Sequence, residues 1–210
     1  MELRVFELPP IATNAFLLFD QERGEALLFD APYQALESAQ PVLEESGCEL
    51  KALLLTHGHW DHILGVGAIT AQGVPVLAHA EDLAMIESPS ELAAAMLPGV
   101  IIPSGKVDEF VQEGQTLQLL NQQVEVRHVP GHSPGSVLFY FRDFGFAVSG
   151  DAIFAGGIGR TDFPGCCREL LEASIVEQIY TLPDETVLLP GHGPRTTVGQ
   201  EKKTNPFVRG

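Results

Sequence analysis

His57, His59, Asp61 and His62 place three imidazoles and one carboxylate within six consecutive positions of a 210-residue chain that has 7 histidines in all. Imidazole suits zinc, iron and similar ions, and a carboxylate beside it lowers the cation's charge without cancelling it. Such a concentration reads as metal ligation; a solvated loop that happens to be rich in histidine accounts for it poorly. Gly58 lets the backbone fold tightly enough for alternate side chains to converge.

The cluster follows the apolar run 52–55, which reads as a buried strand. Three more apolar runs end in the same kind of turn: 124–129 in Pro130-Gly131-His132, 144–148 in Ser149-Gly150-Asp151, and 186–189 in Pro190-Gly191-His192. Any one of these alone reads as an ordinary Gly-bearing turn carrying a solvated polar residue. Together they look like strands that deliver side chains to one sheet edge, since ligand sites of open α/β sheets lie at the carboxyl ends of strands.

Around these turns, residues 5–8, 14–20 and 26–30 read as short strands, 34–46 as a helix stopped by Gly47, 62–71 as a short helix and 74–78 as a strand. Residues 81–96 have helical character broken at Pro89, and 97–114 read as an irregular arm. The second half repeats the theme, with strands at 116–120, 124–129, 137–142, 144–148 and 186–189 and a helix at 169–181. The alternation predicts an α/β fold of two similar halves.

The order His57-x-His59-x-Asp61-His62, then His132, Asp151 and His192, resembles the metallo-β-lactamase superfamily over nearly the whole chain. Within it, the Gly-Gly-Ile-Gly-Arg-Thr-Asp-Phe-Pro-Gly stretch at 156–165 and the tail Lys203-Thr204-Asn205-Pro206-Phe207 are similar to the small glyoxalase II-like, hydroxyacylglutathione hydrolase-like enzymes. A Gly-Arg-Thr-Asp-Phe stretch is also typical of persulfide dioxygenases on the same fold. The resemblance implies a four-layer αβ/βα sandwich over residues 1–210 as a single domain, without the C-terminal helical extension of full-length glyoxalase II.

It further implies that His57, His59 and His132 hold one metal and Asp61, His62 and His192 another, with Asp151 and a water or hydroxide bridging the two. The implied cofactor is a pair of divalent ions, zinc in the first place, with iron or manganese suited to the same ligands. Two such ions less two carboxylates and a hydroxide leave one positive charge to stabilise an oxyanion. The implied reaction is cleavage of a thioester such as a 2-hydroxyacyl glutathione, or of a related ester, by attack of a metal-bridging hydroxide. Asp61 is the candidate catalytic group that orients or accepts the proton; its alternative is a helix N-cap ahead of His62. The alternative reaction is that of a mononuclear Fe(II) persulfide dioxygenase on His57, His132 and Asp151. Gly193-Pro194 after His192 departs from the Asp-Tyr pair usual there.

Arg160 keeps a positive charge where the hydrolases present a lysine and is the candidate contact for an anionic small-molecule substrate, whereas Asp162 stands in place of a tyrosine. Asp30 and Thr56 are candidates to hold the outward nitrogens of ligand histidines, Asp30 equally to begin the turn that Pro32 continues. His128 reads as a satisfied core histidine and Trp60 as a packing residue. The formal charge of −16 argues against a nucleic-acid partner. No run approaches the roughly 20 apolar residues of a membrane span, and the first residues do not open a signal peptide, so a cytoplasmic location is expected. Cys48, Cys166 and Cys167 are odd in number and do not form a disulfide framework.

Overall fold

The computed structural model of the chain describes residues 1–89 and 102–210. It divides into two compact units, Met1–Phe110 and Val111–Gly210.

The first unit is built on a sheet of six strands in sequential order, β1 (Glu2–Leu8), β2 (Thr13–Asp20), β3 (Glu25–Phe29), β4 (Glu49–Leu54), β5 (Val76–His79) and β6 (Glu109–Val111). β1, β2 and β3 are antiparallel neighbours, whereas β3, β4 and β5 run parallel. Their carboxyl ends therefore open on the same side, and the segments leaving them begin with Asp30, Leu55 and Ala80. β2 is buried along almost its whole length, which is why it reads as a continuous apolar run. Leu17, Phe19, Leu28, Leu53, Ile63, Val66 and Val76 belong to one buried cluster with the helix residues Ala35, Leu36, Ala39 and Leu43.

Helix α1 (Ala35–Ser46) ends where Gly47 takes φ 67° and its neighbour's N–H returns to the Leu43 carbonyl. The single helix expected over 62–71 is two, α2 (Trp60–Ile63) and α3 (Val66–Thr70). They part at Gly65, where a Cβ would stand 2.7 Å from the Pro32 carbonyl oxygen. α4 (Leu83–Glu87) is the described part of the helix expected over 81–96; residues 90–96 lie outside the described residues. The expected arm at 97–114 lies partly outside them too, and where described it supplies strand β6.

The second unit carries β7 (Thr116–Leu119), β8 (Gln122–His128), β9 (Val137–Phe141), β10 (Phe146–Gly150), β13 (Val187–Pro190) and β14 (Thr196–Thr197), with sheet order β14-β13-β10-β9-β8-β7. β8 is antiparallel to β9, β9 to β10, and β10 is parallel to β13. It follows that β8, β10 and β13 point the same way and carry His132, Asp151 and His192 beyond their carboxyl ends. A separate two-stranded ribbon, β11 (Ile153–Phe154) and β12 (Gly157–Ile158), leaves this edge.

The helix expected at 169–181 is α5 (Arg168–Ser174) continued by one π-helical turn, Ile175–Ile179, in which the Tyr180 N–H reaches the Ile175 carbonyl at 2.9 Å. Helix α6 (Val198–Thr204), which sequence patterning did not predict, closes the unit. Val129, Leu138, Tyr140, Leu171, Ile175, Leu188 and Val198 share its core. No described helix is long and apolar enough to cross a membrane.

Candidate metal centre

In the first unit the turn after β4 gathers all four of its predicted ligands. The rings of His57 and His59 meet edge to face at 4.8 Å between centroids, and those of His57 and His62 lie 4.1 Å apart. His62 Nε2 stands 3.3 Å from Asp61 Oδ2, and all four residues are buried. Asp61 is inside α2, whose cap position is His59, so it does not serve as the helix N-cap. Thr13, which opens β2, donates its hydroxyl to Asp61 Oδ2 at 2.8 Å.

Asp30 organises this turn from behind. It is fully buried, with φ 58°, and each of its oxygens accepts hydrogen bonds. Oδ1 takes the Thr56 backbone N–H at 2.8 Å, and Oδ2 takes the Thr56 hydroxyl and His62 Nδ1, both at 2.8 Å. Because the ionised carboxylate can only accept, His62 must carry its proton on Nδ1 and present Nε2 as a lone pair. Thr56 has one hydroxyl proton, which Asp30 takes; toward His57 Nδ1, 3.1 Å away, it can only accept. His57 is thereby also an Nδ1–H tautomer. One carboxylate sets two imidazoles, one directly and one through a hydroxyl.

Gly58 has a second duty that spacing alone did not reveal. Its N–H donates to the buried Asp82 Oδ2 at 2.8 Å, and a Cβ there would lie 2.9 Å from Met85 Cβ. Asp82 and Thr13 were missed by sequence reasoning. An acid in Glu81-Asp82 looks like the start of an exposed helix, and a threonine opening a strand carries no signal of its partner.

In the second unit Asp151 Oδ2 lies 3.5 Å from His132 Nε2 and 3.5 Å from His192 Nε2. His132 donates from Nδ1 to the Arg160 carbonyl at 2.8 Å, so its Nε2 also carries the lone pair. Phe154 stands edge-on to His192, 6.0 Å between ring centroids. His57, His62 and His132 thus have their tautomers set from behind and present Nε2, and together with the carboxylates of Asp61 and Asp151 they form a donor set suited to divalent metals.

Residues 8–200 match the metallo-beta-lactamase superfamily. The chain belongs to that family. Hydroxyacylglutathione hydrolase GloC of Haemophilus influenzae is 36% identical to it, over 99% of this chain and 98% of that one. The mitochondrial persulfide dioxygenase ETHE1 of Bos taurus is 32% identical, over 97% of this chain and 74% of that one. Among solved structures, the BLEG-1 B3 metallo-beta-lactamase superposes with a TM-score of 0.91 at 37% identity, covering all of both chains. TTHA1623 in a di-iron-bound form superposes at 0.84, also with 37% identity, over 98% of this chain and 100% of that one. The expected metallo-β-lactamase fold is therefore the fold of this protein.

Arg160 meets His132 through its backbone. Its carbonyl holds His132, whereas its guanidinium forms two hydrogen bonds to Asp162, each 2.7 Å, and lies 3.8 Å over the Phe163 ring. The same pairing holds the Asp162 carboxyl below its usual range and the guanidinium above its own. Of the neighbouring cations in the last quarter of the chain, Arg168 pairs with Glu172 and Lys202 with Asp184. All three cysteines are free thiols, and Cys166 donates to the His132 carbonyl at 2.7 Å. His128 is half-buried and bonded through Nε2 to the Pro134 carbonyl at 2.7 Å, and Trp60 packs against the first core.

Proposed function

We propose that this superfamily member is a binuclear metal-dependent hydrolase of a thioester, such as a 2-hydroxyacyl glutathione, or of a related ester. His57, His59 and His132 would hold one ion and Asp61, His62 and His192 the other, with Asp151 shared; zinc, iron or manganese suits this donor set. The observation that carries the reading is the likeness to GloC along nearly the full length of both chains. Two divalent ions bound there supply Lewis acidity and hydroxide at neutral pH.

The chain's own part is orientation. Thr13 fixes one oxygen of Asp61, leaving that carboxylate to orient the nucleophile or accept its proton. Asp30 and Thr56 keep His62 and His57 in the ligating tautomer.

The second reading is a persulfide dioxygenase with one Fe(II) on His57, His132 and Asp151, favoured by the identity to ETHE1. Metal analysis combined with two assays separates them. Two ions per chain with cleavage of a lactoyl-glutathione thioester and no oxygen uptake supports the hydrolase; one iron per chain with oxygen consumption on glutathione persulfide overturns it. Nitrocefin belongs in the same panel because the BLEG-1 lactamase shares the fold over its full length. Asp61→Ala is expected to lose metal and turnover together, and a variant that keeps both ions and full activity would remove Asp61 from this role.

A further inference from the structure

The C-terminal helix holds a buried carboxylate that none of the chemistry above uses. Glu201 is 1% exposed, and Asn205, one helical turn on, is fully buried. Glu201 Oε1 accepts the Thr196 hydroxyl at 2.5 Å, and Oε2 accepts the Gly156 N–H at 3.0 Å and Asn205 Nδ2 at 2.9 Å. Asn205 Nδ2 also donates to the Gly157 carbonyl at 3.0 Å, while its Oδ1 accepts the N–H groups of Phe207 and Val208. A buried carboxylate is costly unless its oxygens are satisfied. Here part of that satisfaction comes from the turn of the β11–β12 ribbon, where Gly156 has φ 73°.

Immediately beyond that ribbon the chain passes His132. A Cβ at Gly159 would overlap the Asp151 carbonyl oxygen and lie 2.7 Å from His132 Nδ1, so the backbone runs flush against the imidazole. The next carbonyl, that of Arg160, is the acceptor of His132 Nδ1–H. We infer that Glu201 and Asn205 are positioning residues: they clamp the Gly156–Gly157 turn so that the Arg160 carbonyl stays in place and fixes the Nδ1–H tautomer of His132. Its consequence for metal binding rests on the hydrolase reading, whereas the hydrogen-bond relay does not.

The test is made on the full ¹⁵N-labelled chain, zinc-loaded and chelator-stripped, by following the His132 ring N–H, assigned from its loss in His132→Ala. Wild type is expected to show a single Nδ1–H tautomer with a protected ring proton. Glu201→Ala and Asn205→Ala should each accelerate exchange of that proton at least tenfold and weaken zinc binding by about tenfold, the lower end for loss of a ligand's outer support. Glu201→Gln should retain the signal, because the Thr196 hydroxyl can turn to accept from the amide and leave the oxygen for Gly156.

Tyr180→Phe removes the 2.7 Å bond from the Tyr180 hydroxyl to the Val208 carbonyl, in the same C-terminal segment, while leaving the hydrogen bonds of Glu201 and Asn205 to the ribbon in place, and should leave His132 unchanged. A wild-type proton on Nε2 of His132, an unchanged ring signal in both alanine variants, or equal loss in Tyr180→Phe overturns the inference. Should Glu201→Ala not fold, Asn205→Ala decides it. If wild type binds no zinc, the hydrolase reading fails, and the ring-proton comparison in the stripped protein still decides the relay.

Discussion

The first unit takes four candidate ligands from one six-residue stretch, whereas the second takes three from the ends of three different strands. The supports differ in the same way. His57 and His62 depend on one buried carboxylate, Asp30; His132 depends on a backbone carbonyl brought up by a separate ribbon, and His192 has an aromatic edge beside it. A clustered set can be read from sequence because its members are neighbours, but it shares a single point of failure. A dispersed set is legible only through its repeated strand-turn setting, and it fails one member at a time. The charge of the support differs too: a carboxylate behind an imidazole raises its basicity more than a neutral carbonyl does.

The harshest way to break this contrast is Asp30→Ala. It leaves the Thr56 N–H, the Thr56 hydroxyl and His62 Nδ1 without their acceptor inside a fully buried site. A cost of roughly 3–5 kcal/mol is expected, as for breaking a buried charged network, read as a lower denaturation midpoint in urea. The ring N–H signals of both His57 and His62 should change while that of His132 persists. Loss confined to His62 would show that Thr56 does not relay the effect.

The next largest effect compares two glycines, each beside candidate ligands of its own unit. At Gly159 the added methyl meets a carbonyl oxygen and the His132 ring, neither of which can turn away, and Gly159→Ala is expected to cost about 1–3 kcal/mol. At Gly58 the nearest obstacles are Met85 Cβ at 2.9 Å and Asp82 Cβ at 3.1 Å, and Gly58→Ala should cost less because α4 can shift by a few tenths of an ångström. Thermal denaturation of the pair gives the ranking, and a milder Gly159→Ala would contradict it.

What could be read beforehand follows the same division. The clustering of the candidate ligands at 57–62 and the apolar strands were legible because local spacing and burial on both faces write themselves into consecutive residues. The helix over 62–71 was misread as continuous because Gly65 owes its place to Pro32, a residue distant in sequence. Helix α6 was not predicted at all: its buried face is carried by Val198, Gly199 and Glu201, which form no apolar stripe. The buried acids Asp82 and Glu201 went unnoticed in the sequence, since a partner formed by a backbone N–H leaves no mark on composition. The Arg160 contribution was sought in its side chain, and a carbonyl has no sequence signal.

A third difference between the units concerns alkaline pH. Tyr33 of the first unit is exposed, whereas Tyr180 of the second is buried, and burial together with the nearby Glu201 charge pushes its phenol up to about 12 from 10.0. Because the folded value lies above the unfolded one, the folded state holds more protons between those limits. The stabilisation is complete below about pH 10 and declines as pH rises toward 12. Tyr180→Phe should flatten that part of a stability-against-pH curve. An unchanged alkaline slope would place the titrating group elsewhere.

The smallest effect is expected one residue from one of the largest. Arg160 adjoins Gly159, yet its guanidinium is solvent-exposed and already closed on Asp162 and Phe163. Exposed pairs of this kind contribute little, so Arg160→Gln should change stability by less than about 0.5 kcal/mol. The carbonyl that holds His132 survives any substitution there, so the ring N–H should not move. If the guanidinium also receives an anionic substrate, it must leave Asp162 to do so; the net gain is then small, and KM should rise by less than about tenfold with kcat unchanged. A fall in kcat instead would mean that the side chain reaches the reacting atoms, and the division of labour between this residue's backbone and its charge would have to be redrawn.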